Sequence, residues 1–183
     1  MRGCPGVSLI VALIALPPLG AGARAKDLDR CPANAIVVET VNEKGTVVHN
    51  CACDAARGYL GYKGRCEHKV AIEDDLIQRI GHITKTIDST TDTIAAERNF
   101  AVLAELKRQS ATLLAAAGTS RLTRSPAAIT GAALAMVANI TIAVQSARAC
   151  DGSENLRTAC RNLETLQGEL HRTAQSLVKL QSK

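Results

Sequence analysis

Apolar residues recur in steps of three, four and seven along most of the chain after residue 70. One series is separated by charged and polar residues and comprises Leu76, Ile80, Ile83, Ile87 and Ile94. A cleaner series repeats leucine every seven residues, at Leu156, Leu163, Leu170 and Leu177. Three positions after each of these leucines lie the remaining members of the same seam, Ala159, Leu166, Thr173 and Leu180. This spacing predicts amphipathic helices that pack on partner helices along a coiled-coil-like seam.

Three helices account for this pattern, at about residues 70–117, 126–149 and 154–181. The first is expected to bend near residue 99, and Gly118 is a suitable residue to follow its end. Ser125 and Pro126 form an N-cap and a first-turn proline for the second. Because short connections make neighbouring helices antiparallel, residues 69–183 are expected to form an antiparallel three-helix bundle.

The second of these helices is unusual because no charged residue occurs from Ser125 through Ala147. One interpretation inserts residues 126–147 into a membrane, since this length suffices to cross a bilayer. The interpretation that we favour is the buried central helix of the bundle, because it contains many alanines and polar residues such as Thr130. Asn139 and Thr141 also form an N-glycosylation triplet, which a buried helix would leave unused.

The segment before residue 69 has a different pattern, with β-branched residues in two short runs. Residues 36–41 and 46–50 are typical of strands, and Asn42 to Gly45 between them is a turn signal. About 40 residues cannot bury enough apolar surface to fold without cross-links. The sequence therefore predicts a mostly α fold, in which a disulfide-rich β-hairpin module at residues 26–68 precedes the helices.

The chain begins with the pattern of a secretory signal peptide. A short basic start is followed by an apolar stretch from Val7 to Leu16 and a small-x-small end at Ala23-Arg24-Ala25. Cleavage after Ala25 would make residues 1–25 a leader and the protein secreted, at an extracellular, cell-surface or periplasmic location.

Cleavage also removes one of the 7 cysteines and leaves an even number, which favours complete pairing in an exported protein. Cys150 ends one predicted helix and Cys160 lies inside the next. A bond between them would close a short loop and hold the helix–helix turn.

The remaining cysteines lie in a pattern that resembles the EGF-like module. The residues that carry the resemblance are the hairpin followed by Cys51-Ala52-Cys53, then Gly58-Tyr59, then Gly64-Arg65-Cys66-Glu67. The resemblance implies a disulfide from Cys53 to Cys66 and leaves Cys31 for Cys51. The family usually has six cysteines and this segment has four, which implies a truncated, two-disulfide version. The resemblance covers about a fifth of the chain.

Two metal sites are weaker alternatives, and we expect neither a metal nor a cofactor. Asp27-Leu28-Asp29-Arg30 resembles the lead of calcium-binding EGF-like modules, but Arg30 replaces the acid that would supply a ligand. His49 and His68 flank the cysteines as in a zinc site, but disulfides compete for the same sulfurs in an exported protein.

Charge and motifs exclude several classes of protein. The full chain has a formal net charge of +5, and the leader removes two arginines, so the mature chain is close to neutral. With 2% aromatic residues and no Trp, the chain offers no platform for stacking bases, and we expect no nucleic acid partner. No nucleophile elbow, phosphate loop, dinucleotide fingerprint or zinc-protease motif occurs. We therefore predict that the protein is not an enzyme.

The function expected from the sequence is recognition of another protein. The cysteine module would present its loop to an unknown protein partner through five candidate binding residues, Arg57, Tyr59, Tyr62, Lys63 and Arg65. Tyr62 is the favoured anchor, because aromatic residues dominate interface energies and Tyr59 occupies a packing position in the EGF-like family. The helical half would be a stalk or a surface for self-association. The alternative is a membrane-anchored or membrane-active protein that inserts residues 126–147.

Overall fold

The computed structural model describes residues 31–98, 101–123, 126–145 and 150–182. The predicted leader at 1–25, the calcium-like segment from Asp27 to Arg30 and residues 146–149 at the end of the predicted second helix lie outside these residues. The described chain is mostly α, with two small β-hairpins before four helices. This confirms the fold class predicted from the sequence.

The first hairpin pairs β1 (Ala35–Val41) with β2 (Val47–Cys53) in antiparallel register, with Glu39 opposite His49. Its turn depends on Asn42, whose Oδ1 accepts hydrogen bonds from the backbone N–H groups of Lys44 and Thr46. Gly45 supplies the positive φ of 75° that the turn requires. Turn chemistry and β-branched strands therefore specify this hairpin locally.

The second hairpin pairs β3 (Tyr59–Tyr62) with β4 (Arg65–His68) through the two-residue turn Lys63-Gly64. Both turn residues have positive φ, 47° and 81°, as in the turns that match the twist of paired strands. A short 3-10 turn at Ala55–Arg57 joins the two hairpins. The module thus consists of two short ribbons, each too small to form a layered core.

Four helices follow: α1 (Lys69–Glu97), α2 (Ala101–Thr123), α3 (Pro126–Gln145) and α4 (Glu154–Gln181). Each helix packs against its neighbour in the chain, and α4 closes the bundle by packing against α1. All neighbouring pairs are antiparallel, as the pairing of Asp92 on α1 with Lys107 on α2 illustrates. The bundle therefore has an up-down-up-down arrangement.

The described residues form four helices where the pattern predicts three. The helix predicted over 70–117 is α1 and most of α2, because α1 ends at Glu97 and the next residue, Arg98, adopts an extended conformation with φ −142°. α2 continues past Gly118 to Thr123, so Gly118 does not end the helix as predicted. A continuous helix of this length would extend about 70 Å, well beyond the 28-residue α4 on which α1 packs. Folding back instead buries the apolar stripe of α2 against α1.

The core lies along the axis of the bundle and receives side chains from every helix. Its largest fully buried side chains are Ile80, Thr84, Ile87, Leu106, Leu113, Ile129, Met136, Ile140, Leu156, Leu163, Leu170 and Leu177. The apolar series predicted on α1 and the leucine series predicted on α4 are both buried. Fully burying one such side chain contributes about 1.5–3 kcal/mol.

Helix α3 is a corner of the bundle and not its buried centre, which corrects the interpretation favoured from the sequence. One face is buried and comprises Ile129, Thr130, Ala133, Met136, Ile140 and Ala143. Only 33% of its most apolar stretch is buried, because four helices around one axis leave each with an outer face. Leu134 and Ile142 lie on that outer face and are 37% and 55% exposed.

Candidate functional site: an interaction surface on the cysteine module

Three disulfides link the cysteines of the described residues, and they join the pairs expected from the sequence. Cys31–Cys51 ties the segment before β1 to β2, Cys53–Cys66 cross-links the two hairpins, and Cys150–Cys160 links the segment before α4 to α4 itself. Intramolecular disulfides are typical of extracellular or secreted proteins. The sulfurs that a zinc site would require are bonded to one another, and His49 lies beside Glu39 instead. Within the described residues, no cluster of His, Cys, Asp or Glu could hold a metal ion.

The module passes into the bundle without a linker. β4 ends at His68 and α1 begins at Lys69, whose backbone N–H donates to the carbonyl of Gly58 at 2.8 Å. The His68 side chain accepts from the N–H of Val70 and so caps α1. A Cβ on Gly58 would approach the His68 ring to 3.2 Å, and Gly58 has a φ of 81°. Glycine is therefore required where the two parts of the protein meet.

Tyr62 fastens the module to α1. Its hydroxyl donates a hydrogen bond of 2.7 Å to Asp75 Oδ2, and its ring packs with Leu60 against the bundle core. Lys63 Nζ lies 2.7 Å from the same Asp75 oxygen and 5.1 Å from the centre of the Tyr62 ring. Tyr62, Lys63 and Asp75 thus form a contact between module and bundle, which we call the junction triad.

The electrostatics of the junction triad follow from this geometry. Partial burial and the hydrogen bond to Asp75 raise the pKa of Tyr62 to about 12. Hydrogen bonds from Lys63 and Tyr62 lower the pKa of the Asp75 carboxyl below its usual value. At neutral pH the triad is therefore a neutral hydroxyl, a carboxylate and an ammonium group that satisfy one another.

The predicted binding residues have different surroundings. Tyr59 packs edge-on against His68, with ring centres 5.4 Å apart, and is half-buried. Arg57 is 81% exposed and lies near Asp54, while Arg65 is 73% exposed and lies 3.3 Å from Glu67. The structure brings Tyr62, Lys63 and Arg65 together around a pocket of about 170 Å³ at the junction. This volume is below the roughly 300 Å³ at which small-molecule sites begin.

The β1–β2 hairpin is the exposed apolar part of the module. Val41 and Val47 face each other near its tip and are 69% and 52% exposed, and Ile36 and Val48 are also exposed. The sequence predicts this hairpin, but the binding residues predicted from it lie elsewhere in the module, from Arg57 to Arg65. The signal for an exposed apolar surface was present in the sequence, as apolar residues at consecutive positions such as Ile36-Val37-Val38. Consecutive strand residues point to opposite faces, and a two-stranded ribbon has no layers that would bury both of them.

Comparisons with known proteins assign no relative to this chain. No family model matches it, and neither a curated protein nor a solved structure is significantly similar to it.

Proposed function

We propose that the protein is a secreted or surface-associated, non-enzymatic interaction protein whose cysteine module, a truncated EGF-like element, binds a protein partner. A cleaved leader at residues 1–25 would export it, and the helical bundle serves as a rigid stalk. The observation that carries the proposal is the exposed hairpin on a rigidly held module. Exposed β-branched residues on both faces of a ribbon are an unfavourable surface for a solitary protein, and a partner that covers them removes this cost.

The junction supports rigid presentation of that surface. Direct passage from β4 to α1, the cap from His68 and the junction triad fix the orientation of the module on the bundle. Pre-organised surfaces bind more tightly because less conformational entropy is lost on association. Tyr62 and Lys63 act in this proposal as positioning residues, and the surface that meets the partner consists of the hairpin together with Arg57 and Arg65.

The positions of the groups with shifted pKa values support a non-enzymatic role. Among the described residues outside the junction triad, the pKa values that shift are those of Glu105, Lys107 and Arg108 on α2, each of which is in an exposed ion pair. Such pairs organise a helix surface, whereas catalytic groups are typically shifted by burial in a cleft.

Photo-crosslinking in the producing organism tests the proposal. A photoreactive residue replaces Val47 or Arg57 on the module, and a matched exposed residue on α4, Thr165, in the control. We expect both module positions to yield the same discrete protein adduct, which excess unlabelled protein suppresses, and the control to yield none. Arg57→Ala with Arg65→Ala is expected to weaken the adduct formed from Val47. Adducts from Thr165 alone, or no competed adduct from the module, would overturn the proposal.

Membrane contact through α3 is the second candidate, and its outer face is the observation that favours it. Among the described residues, α3 is the one helix that is long and apolar enough to cross a bilayer. Its 20 residues extend about 30 Å, which matches the hydrocarbon thickness. Membrane contact in this candidate covers an uncharged outer face that includes Leu134 and Ile142.

A further inference from the structure

The hydrogen-bonding pattern of the first hairpin determines which backbone groups point outward. Asn42 N–H donates to the carbonyl of Thr46, and Asp54 N–H donates to that of Asn34, at either end of one continuous register. Hydrogen-bonded and non-hydrogen-bonded pairs alternate along an antiparallel ladder. The backbone N–H and C=O groups of the even-numbered residues of β1 therefore point toward β2. Those of Val37, Glu39 and Val41 point away from it.

This outer edge of β1 has no strand beside it in the described part of the chain. Ala35 N–H turns back to Pro32, so the edge begins at Val37. On the opposite side, contacts between β2 and β3 and the Cys53–Cys66 disulfide place the second hairpin beside β2. An exposed edge strand is a template for pairing with another chain, and this one carries neither proline nor lysine, so that its one charged residue, Glu39, limits which chain can pair with it.

We propose that the edge formed by Val37, Glu39 and Val41, here called the β1 edge, binds an extended segment of the partner by adding it as a third strand. The inference rests on the proposed function and names the mode of recognition. The outward N–H and C=O groups repeat every second residue, a spacing that an extended backbone matches. Valine side chains on either side of Glu39 favour β-branched residues opposite them.

Charge specifies the centre of the added strand. Glu39 is the only charged residue of β1, and its side chain is 70% exposed beside His49. A lysine or arginine opposite Glu39 would form a cross-strand ion pair, whereas an acid there would be repelled. The partner segment is therefore a β-branched strand with a basic residue at its centre.

The same charge disfavours a second copy of this chain as the occupant. β1 contains no Lys or Arg, so pairing two β1 edges leaves each Glu39 opposite an apolar residue or the other Glu39. Pairing β1 with the β2 of another copy would bring Glu39 to His49, but that contact is head-to-tail and does not close. A foreign strand satisfies Glu39 without either difficulty.

The probe is a blocked seven-residue peptide, Thr-Val-Thr-Lys-Thr-Val-Thr, which matches the length of β1. It is titrated into the ¹⁵N-labelled, disulfide-bonded chain without its leader. We expect shifts confined to the first hairpin and slower amide exchange at Val37, Glu39 and Val41. A peptide with glutamate in place of lysine is expected to bind about threefold more weakly, which corresponds to about 0.65 kcal/mol for the cross-strand charge pair.

Two proline variants at paired positions separate the β1 edge from the rest of the hairpin. Glu39 and His49 oppose each other, and both direct their N–H groups outward, so Glu39→Pro blocks one edge and His49→Pro the other. We expect Glu39→Pro to lower the peptide affinity about tenfold through lost main-chain hydrogen bonds, and His49→Pro to leave it almost unchanged. Bundle resonances report whether each variant is folded.

Several outcomes would overturn the inference. They are equal loss of binding in both proline variants, shifts on α3 or α4 in place of the hairpin, or concentration-dependent dimers that Glu39→Pro abolishes. Photo-crosslinking distinguishes this failure from failure of the proposed function. If adducts from position 47 persist in the Glu39→Pro variant, the β1 edge is excluded as the binding site but the proposed interaction function stands. If the chain with its native β1 yields no adduct that unlabelled protein suppresses, the proposed function itself is contradicted.

Discussion

At the scale of single residues, Tyr62 has the most informative environment. Its ring and hydroxyl act together, because the ring packs against the core while the hydroxyl bonds to Asp75. The sequence predicts Tyr62 as an anchor for a partner protein. It does not predict the hydrogen bond to Asp75, which is 13 positions away in a different element. Long-range partners of this kind depend on where the module docks, which local pattern does not encode.

Replacing Tyr62 with phenylalanine should weaken the attachment of the module. The ring remains and the hydrogen bond to Asp75 is lost, which we expect to cost about 1 kcal/mol because the carboxylate is partly exposed to water. Chemical denaturation followed by hairpin resonances measures this loss. The control is Tyr59→Phe, because the Tyr59 hydroxyl makes no hydrogen bond to a described residue and its ring contact with His68 is retained. Equal costs for the two variants would contradict the assignment.

The junction triad also predicts how stability depends on pH. The pKa of Tyr62 is raised to about 12, so its contribution is fully present below the unfolded value of 10.0 and is lost as the pH rises through 12. The pKa of Asp75 is lowered, so its contribution is present above the unfolded value of 3.8 and is lost as the pH falls through the folded value. Tyr62→Phe is expected to remove the alkaline dependence. Tyrosinate absorbance follows the titration, and a Tyr62 that ionises at its ordinary pKa would refute this.

At the scale of elements, sequence periodicity located helical residues well and helix ends less well. The seams of α1 and α4 were predictable because their leucines and isoleucines recur at helical spacing. A break near residue 99 was indicated, but a complete reversal of the chain was not, because Glu97 and Arg98 are neither glycine nor proline and packing imposes the reversal. The outer face of α3 was likewise hidden, since an uncharged helix has the same pattern whether it is central or at a corner.

The start of α4 supports one prediction about an element. Ser153 Oγ accepts from the N–H of Leu156 and donates to the carboxylate of Glu97 at the end of α1. Ser153→Ala removes an N-cap and this bond between helices, and we expect it to cost about 1 kcal/mol or slightly more in thermal denaturation. Ser176→Ala is the control, because among the described residues its hydroxyl bonds to the Arg172 carbonyl alone, within α4. A control that is as destabilised as Ser153→Ala would argue against the cap.

The outer face of α3 supports a second prediction about an element, namely that α3 contacts lipid. If α3 contacts lipid, the exported mature chain floats with liposomes, and Leu134→Lys abolishes flotation because a charge is costly in hydrocarbon. Leu134 is 37% exposed, so lysine there leaves the bundle folded. Val178→Lys provides the matched control on α4, where valine is 43% exposed. If the wild-type chain does not float, membrane contact through α3 is excluded, and binding of a protein partner remains as the proposed function.

At the scale of the whole molecule, the two parts are stabilised by different means. The bundle has a continuous core from four helices, whereas the module has two ribbons with few buried side chains. The disulfides follow this division, with two in the module and one that joins the last connection to α4. The composition change near residue 69 suggested these two parts. Their rigid junction could not be predicted, because it depends on contacts between the parts.

Two double variants test this division, because removing a disulfide should affect only the part that it supports. Cys53→Ser with Cys66→Ser is expected to disorder the β3–β4 hairpin and abolish the Tyr62–Asp75 contact, while the bundle core keeps the chain helical. Cys150→Ser with Cys160→Ser opens a loop that spans a separation of 10 residues. It should lower the free energy of unfolding by about 3 kcal/mol, from the entropy of loop closure, and leave the hairpins intact. Circular dichroism at the helix bands and amide resonances of both hairpins distinguish the two effects. Loss of helix in the first variant would show that the bundle folds only with its module attached, and would make the module part of the stalk that presents it.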